Sequence, residues 1–250
     1  MKRKIKSIIS LSILFISIVG IVYSTLKIIQ WKKNTTDNKE LKEIINESVT
    51  IIEDKPEEEP KYIVDFETLK KQNSDTIAYL KVNNTEVDYV VVKGQDNDYY
   101  LNHNFNKDYN VAGWIFADYK NKFDGTDKNI VIYGHNMQDG SMFASLKEIL
   151  TEKWQNNEKK QITLVTEKET LTYEIISSYS IEAEDYYIKT SFGNNMEYSD
   201  FLTTISKRSY YNYNINLNTS DKILTLSTCT GNGKGRIVIH AKQISTEENI

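Results

Sequence analysis

The sequence predicts a mostly β domain, a barrel or sandwich with peripheral helices, carried on an N-terminal helical extension. Three observations predict it. Roughly eight short runs have the alternation and bounding turns of strands. Only two helical patterns interrupt them in the body of the chain, and one long uncharged apolar run stands apart at the N-terminus. Abundant Tyr (17) and scarce Pro (2) suit a strand-rich body without proline linkers. The net charge of −4 gives no basis for a nucleic-acid partner.

Residues 8–26 carry no charge and follow Lys2, Arg3, Lys4 and Lys6. A cleavable signal has a shorter apolar core and a small-residue cleavage site. This run continues instead into Lys27, Lys32 and Lys33, and its length suffices to span a bilayer. An uncleaved signal-anchor is therefore expected over 8–29, with a cytoplasmic tail at 1–7; a cleaved signal is the competing reading. The basic residues before the span outnumber those after it, which orients the N-terminus inside. Residues 30–60 read as a helical stalk and linker. Leu41, Ile44, Ile45, Val49 and Ile52 recur at helical spacing, and an acidic stretch with Pro56 and Pro60 ends the pattern.

The remaining domain, 61–250, opens with a short helix that Asp65 can cap. Strands are expected at 77–82, 87–92, 114–116, 130–133, 161–166, 171–183, 223–229 and 236–242. Helices are expected at 141–154, carrying Phe143, Leu146, Ile149, Leu150 and Trp154, and at 197–208, carrying Tyr198, Phe201, Leu202 and Ile205.

The chemistry centres on Cys229, the only cysteine, at the end of a β-rich run. A glycine-rich turn follows, and Arg236 opens the next strand. A hairpin there would bring the guanidinium beside the thiol, and a fixed cation favours the nucleophilic thiolate. From the residue alone two readings stay open, a buried small hydrophobe or a free reactive thiol. Of the three histidines, His135 follows Gly134 at a strand end, where the glycine lets the chain turn and where sites concentrate. His240 lies about 13 Å along the strand from Arg236 and reads as structural. His103 sits among loop asparagines. Glycines 231, 233 and 235 do not form a phosphate cradle, since that turn leads into a helix and this one leads into a strand. Nothing has the spacing of a structural metal site, and no cofactor is expected.

The order Tyr133-Gly134-His135-Asn136-Met137, then Thr225-Leu226-Ser227-Thr228-Cys229, then Arg236 resembles the sortase family of Gram-positive surface transpeptidases. The stretches Tyr100-Leu101-Asn102-His103-Asn104-Phe105, Ala112-Gly113-Trp114-Ile115-Phe116 and Asp139-Gly140-Ser141-Met142-Phe143 look class-B-like, as does the helix before the cysteine strand. The resemblance implies a closed eight-stranded β-barrel with its site at the strand ends. It implies that Cys229 cleaves an NPxTx-type sorting signal after Thr, forming a thioacyl enzyme. The partners would be surface proteins bearing that signal and an amine of the cell-wall peptide or its lipid-linked precursor. It assigns His135 as acid and base and Arg236 as the group that stabilises the carbonyl oxygen. Ser227, Thr228, Tyr133, Leu101 and Asn102 match substrate-contacting positions, whereas Thr230 stands where some members carry a carboxylate. Two other functions remain open: a non-catalytic peptide-binding adaptor on the same barrel, and a cysteine hydrolase. Thiol labelling divides the enzymes from the adaptor. Methanethiosulfonate is expected to modify Cys229 within seconds to minutes if the thiol is poised, and far more slowly if it is packed away.

Overall fold

The computed structural model describes residues 2–52, 60–182, 184–229 and 235–249. The linker residues 53–59, the glycine turn at 230–234 and the side chain of Cys229 lie outside the described residues.

α1 (Lys2–Asn46) is one unbroken helix. It is the one helix among the described residues long and apolar enough to cross a membrane, and its apolar stretch is exposed. Its last turns dock on the body of the protein, burying Leu41 and Ile45 while Ile44 remains exposed. Polar contacts fix this docking. Asn38 Nδ2 donates to the Gly113 carbonyl at 3.1 Å, and Asn110 Nδ2 donates to the Asn34 carbonyl and Asn38 Oδ1 at 2.9 and 2.8 Å.

The helix does not continue through Val49 and Ile52 as their spacing suggested. Those residues form β1 (Val49–Ile52), paired antiparallel with β2 (Lys61–Val64). A run of Val-Thr-Ile-Ile is β-branched throughout, and such side chains lose freedom against the preceding helical turn. Strand pairing therefore prevails over an apolar spacing that fits both periods. α2 (Phe66–Gln72) follows, with the Asp65 carboxylate accepting from the Thr68 amide at 2.9 Å.

The body is a closed eight-stranded barrel. Its strands are β3 (Thr76–Val82), β4 (Asp88–Val92), β5 (Phe116–Ala117), β6 (Asn129–Tyr133), β7 (Gln161–Val165), β8 (Glu169–Glu182), β9 (Ile223–Cys229) and β10 (Gly235–Glu248). They close in the order β10-β8-β7-β3-β4-β5-β6-β9, with β4–β5 and β6–β9 parallel and the other pairs antiparallel. Leu80, Val91, Ile132, Leu164, Leu226 and Ile239 fill the interior, each fully buried. The strands fall within about two residues of the expected runs, except that β10 reaches Glu248. Its polar end, Ser245 to Glu248, pairs with Glu169 to Thr172 of β8 after two register shifts, so backbone bonding rather than apolar alternation carries it.

The helix expected over 141–154 is divided. A 3₁₀ segment, Ala144–Leu150, precedes α3 (Glu152–Gln155). Between them Thr151 is extended (φ −109°, ψ 145°), and its hydroxyl accepts from the Trp154 amide at 3.3 Å. A capping threonine inside the pattern restarts the helix there. The expected apolar residues Phe143, Leu146, Ile149 and Trp154 are buried nonetheless. α4 (Asn195–Arg208) begins at the Asn194 cap and packs Tyr198, Phe201, Leu202 and Ile205 against Ile176 and Ile223.

His240 has no exposed surface; its ring lies between the Thr225 and Tyr179 hydroxyls, each at 2.9 Å. Burial pushes its pKa down to about 3, far below the ordinary value near 6.5. Between these values the unfolded chain binds a proton that the folded one refuses. Stability should therefore be full above pH ~6.5 and fall as pH drops toward ~3, by up to about 1.4 kcal/mol per pH unit from this residue. Denaturant titrations at several pH values should show the wild type losing stability relative to His240→Gln as the pH is lowered; parallel curves would remove His240 from the acid response.

Candidate active site

Three strands bring their ends to one rim of the barrel. The parallel register of β6 and β9 places Tyr133 beside Ser227, and the Gly134 amide donates to the Ser227 carbonyl at 3.2 Å. The antiparallel register of β9 and β10 places Arg236 directly opposite Cys229. The hairpin inferred from the sequence thus has the pairing that proximity requires. A cleft of about 530 Å³ opens at this rim, lined by His135, Arg236, Ser227, Thr228, Tyr133 and Leu101 among others.

His135 is held by its backbone and by its ring. Its carbonyl accepts from the Phe143 amide at 2.9 Å, and its Nε2 lies 2.7 Å from the Leu101 carbonyl oxygen. A carbonyl only accepts, so Nε2 carries the proton and Nδ1 keeps the lone pair of the neutral ring. Leu101 is itself positioned by a close backbone approach. It ends the 3₁₀ turn Tyr99–Leu101, whose Tyr100 carbonyl accepts from the Trp114 amide at 3.0 Å. Gly113 makes the approach possible. Its φ is +56°, and a Cβ there would lie 2.3 Å from the Tyr100 oxygen and 2.8 Å from the Leu101 oxygen.

Gly134 has a different role from the one its sequence position suggested. Its φ is not positive, so no turn demands glycine there. Space does: a Cβ would sit 2.4 Å from Ile115 Cδ1 and 2.8 Å from Phe143 Cγ. The strand end is pressed against the core, and the imidazole projects from a backbone that cannot shift inward.

The neighbouring polar groups are mostly paired. Tyr133 donates its hydroxyl to Asp118 Oδ2 at 2.8 Å, and Asn97 Nδ2 donates to the same oxygen at 2.8 Å. Burial, with the carboxylate beside it, pushes the Tyr133 phenol far above its usual range and keeps it a donor. The buried Ser227 hydroxyl meets the Tyr187 hydroxyl at 3.1 Å. Thr228 is buried too, and its Oγ1 has no hydrogen-bond partner among the described residues. Arg236, half-buried, donates from Nη1 to the Gly235 carbonyl at 2.9 Å.

Asn102 adjoins Leu101 but is exposed and outside the cleft lining. His103 stacks on Tyr99 with centroids 4.0 Å apart and also lies outside it. The cleft is lined as well by Glu184, Asp185, Tyr187 and Ile188, and by Asn97 beside Tyr133, none of which the sequence pattern singles out. Two adjacent tyrosines, Tyr186 and Tyr187, after a long strand are the signal that the sequence offers for this segment.

A family model described as a sortase domain matches residues 80–244. Sortase B of Listeria monocytogenes is 38% identical over 182 residues, covering 71% of this chain and 73% of the relative. Among solved structures, sortase B of Clostridium perfringens is 42% identical with a TM-score of 0.68, covering 72% of this chain and 99% of that one. A sortase B from Bacillus anthracis, in complex with AAEK2, has a TM-score of 0.73 at 33% identity, covering 84% and 97%.

Adding one methyl at position 134 tests the geometry of this rim. Gly134→Ala is expected to lower stability by about 1–3 kcal/mol through overpacking against Ile115 and Phe143. Thermal denaturation measures it, and an unchanged Tm would mean that the strand end is not confined.

Proposed function

Because this chain belongs to the sortase family, in its class B branch, we propose that it is a membrane-anchored transpeptidase. The family consists of cysteine transpeptidases that act on sorting-signal surface proteins and amine acceptors. In this chain, Cys229 cleaves an NPxTx-type signal after its Thr and passes the acyl group to an amine of the cell-wall peptide or its lipid-linked precursor. The observation that carries the reading is the register of Arg236 against Cys229 in a rim whose cleft His135 also lines.

The reaction divides into two acyl transfers. The sulfur of Cys229 bonds to the Thr carbonyl carbon as the thiol proton passes to His135. With Nε2–H held by the Leu101 carbonyl, Nδ1 is the nitrogen free to exchange that proton. The Arg236 guanidinium stabilises charge developing on the carbonyl oxygen. The tetrahedral adduct collapses, the C–N bond breaks, and His135 protonates the departing amine, leaving a thioester. An incoming amine attacks the thioester carbon and gives its proton to His135. The C–S bond then breaks, and Cys229 leaves as thiolate and takes that proton from His135, so the enzyme returns unchanged. Tyr133, Ser227, Thr228 and Leu101 form the peptide-facing surface.

The domain plan follows the same reading. Residues 1–7 stay in the cytoplasm, 8–29 span the membrane, 30–60 form the stalk and linker, and 61–250 work outside. The exposed apolar first half of α1 supports this.

Cys229→Ala is expected to abolish cleavage of NPxTx-type peptides, and His135→Ala to be nearly as severe. Arg236→Ala should lose about 10²–10³ in kcat, the usual cost of one such donor. Product analysis with an added amine distinguishes transfer, which yields the ligated peptide, from hydrolysis, which yields only free acid. Full activity in Cys229→Ala would end the reading.

A further inference from the structure

Behind the 185–189 wall of the cleft runs a chain of buried side chains that the reaction does not use. Its proton directions can be read one after another. Asn129 Nδ2 donates to the Tyr187 and Lys189 carbonyls at 3.3 and 3.0 Å, so the amide oxygen faces the other way as an acceptor. Thr225 Oγ1 donates to that oxygen at 2.7 Å. With its one proton used, the threonine hydroxyl accepts from His240 Nδ1 at 2.9 Å. The imidazole proton is thereby on Nδ1, and Nε2 accepts from the Tyr179 hydroxyl at 2.9 Å. The Tyr179 oxygen in turn accepts from the Tyr186 hydroxyl at 2.7 Å.

The chain closes on itself. It starts at Tyr186 and returns at the carbonyls of Tyr187 and Lys189, which span the same short 3₁₀ turn, Tyr186–Ile188. Asn129, Thr225 and His240 have no exposed surface, and Tyr179 has 1%. Each stands on a different barrel strand, β6, β9, β10 and β8 in that order. The turn that they hold supplies Tyr187 and Ile188 to the cleft and sets the Tyr187 hydroxyl against Ser227. Satisfied buried networks of this kind fix one arrangement of the groups they bond, because every alternative leaves a buried donor or acceptor unpaired.

We propose that His240 is a positioning residue, and that the ring Tyr186–Tyr179–His240–Thr225–Asn129 holds the 185–189 wall in the shape that receives the peptide. The ring acts on binding and not on the chemical steps. This rests on the transpeptidase reading of the cleft.

The test uses the full chain in detergent micelles. Thr225→Val keeps the side-chain shape and removes the hydroxyl link. With an Asn-Pro-Gln-Thr-Gly peptide, its KM should rise at least fivefold with kcat within twofold of the wild type. Thr225→Ser, which restores the hydroxyl, should return KM to normal. Amide hydrogen exchange at Tyr187–Lys189 should quicken at least tenfold in Thr225→Val and not in Thr225→Ser. Tyr179→Phe breaks the ring on its other side and should reproduce both effects, which also covers a Thr225→Val that fails to fold. Wild-type KM and exchange in a folded ring variant would overturn the proposal, as would a fall in kcat at unchanged KM. If the wild-type chain turned over no peptide, the transpeptidase reading would fail, while the exchange comparison would still decide whether the ring holds the wall.

Discussion

The pairing of β9 with two neighbours of opposite sense is the constraint on which the rest depends. On one side it bonds in parallel to β6, and on the other antiparallel to β10. Side chains in strands repeat every two residues, so a slip of one position in either pairing would turn the rim residues to the opposite face. The glycine positions serve that pairing from outside. Gly134 admits the end of β6 against Ile115 and Phe143, and Gly113 lets Tyr100 and Leu101 lie against the start of the next segment. Backbone hydrogen bonds between the strands bring the imidazole, the guanidinium strand and the cysteine strand to one edge.

Much of this was legible in the sequence because strand chemistry is local. Alternation in Ile223–Cys229 gave that strand its bounds, and the six intervening residues implied a hairpin whose register does place Arg236 across from Cys229. What stayed hidden depends on partners distant in the chain. Apolar spacing at Val49 and Ile52 fits a helix as well as a strand, and only pairing with Lys61–Val64 decides it. The wall at Tyr187 and Ile188 has no periodicity to betray it. Its place in the cleft comes from Asn129 and Ser227, residues 58 and 40 positions away. At Gly134 a turn and a close approach would both call for glycine, and the approach to Ile115 and Phe143 leaves no trace in the residues on either side.

The barrel also shows how polar residues enter a core without weakening it. Asn129, Thr225, Ser177 and His240 are fully buried, and each has a hydrogen-bond partner. Asn110 does the same outside the barrel, meeting α1 and the Ala112 amide together. Unpaired, each such group would cost about 1–3 kcal/mol. Paired, they select among packings that apolar contacts alone would leave nearly equal.

The continuity of α1 has a mechanical consequence. Forty-five residues at about 1.5 Å each make a rod of roughly 68 Å, and its far end is bonded to Asn110 and Gly113. A rod without a joint transmits torque. Turning its apolar half about the long axis swings the barrel through the same angle, so the compass bearing of the cleft is set by the azimuth of the helix. One residue inserted between the two halves would rotate that bearing by about 100° while raising the barrel only about 1.5 Å.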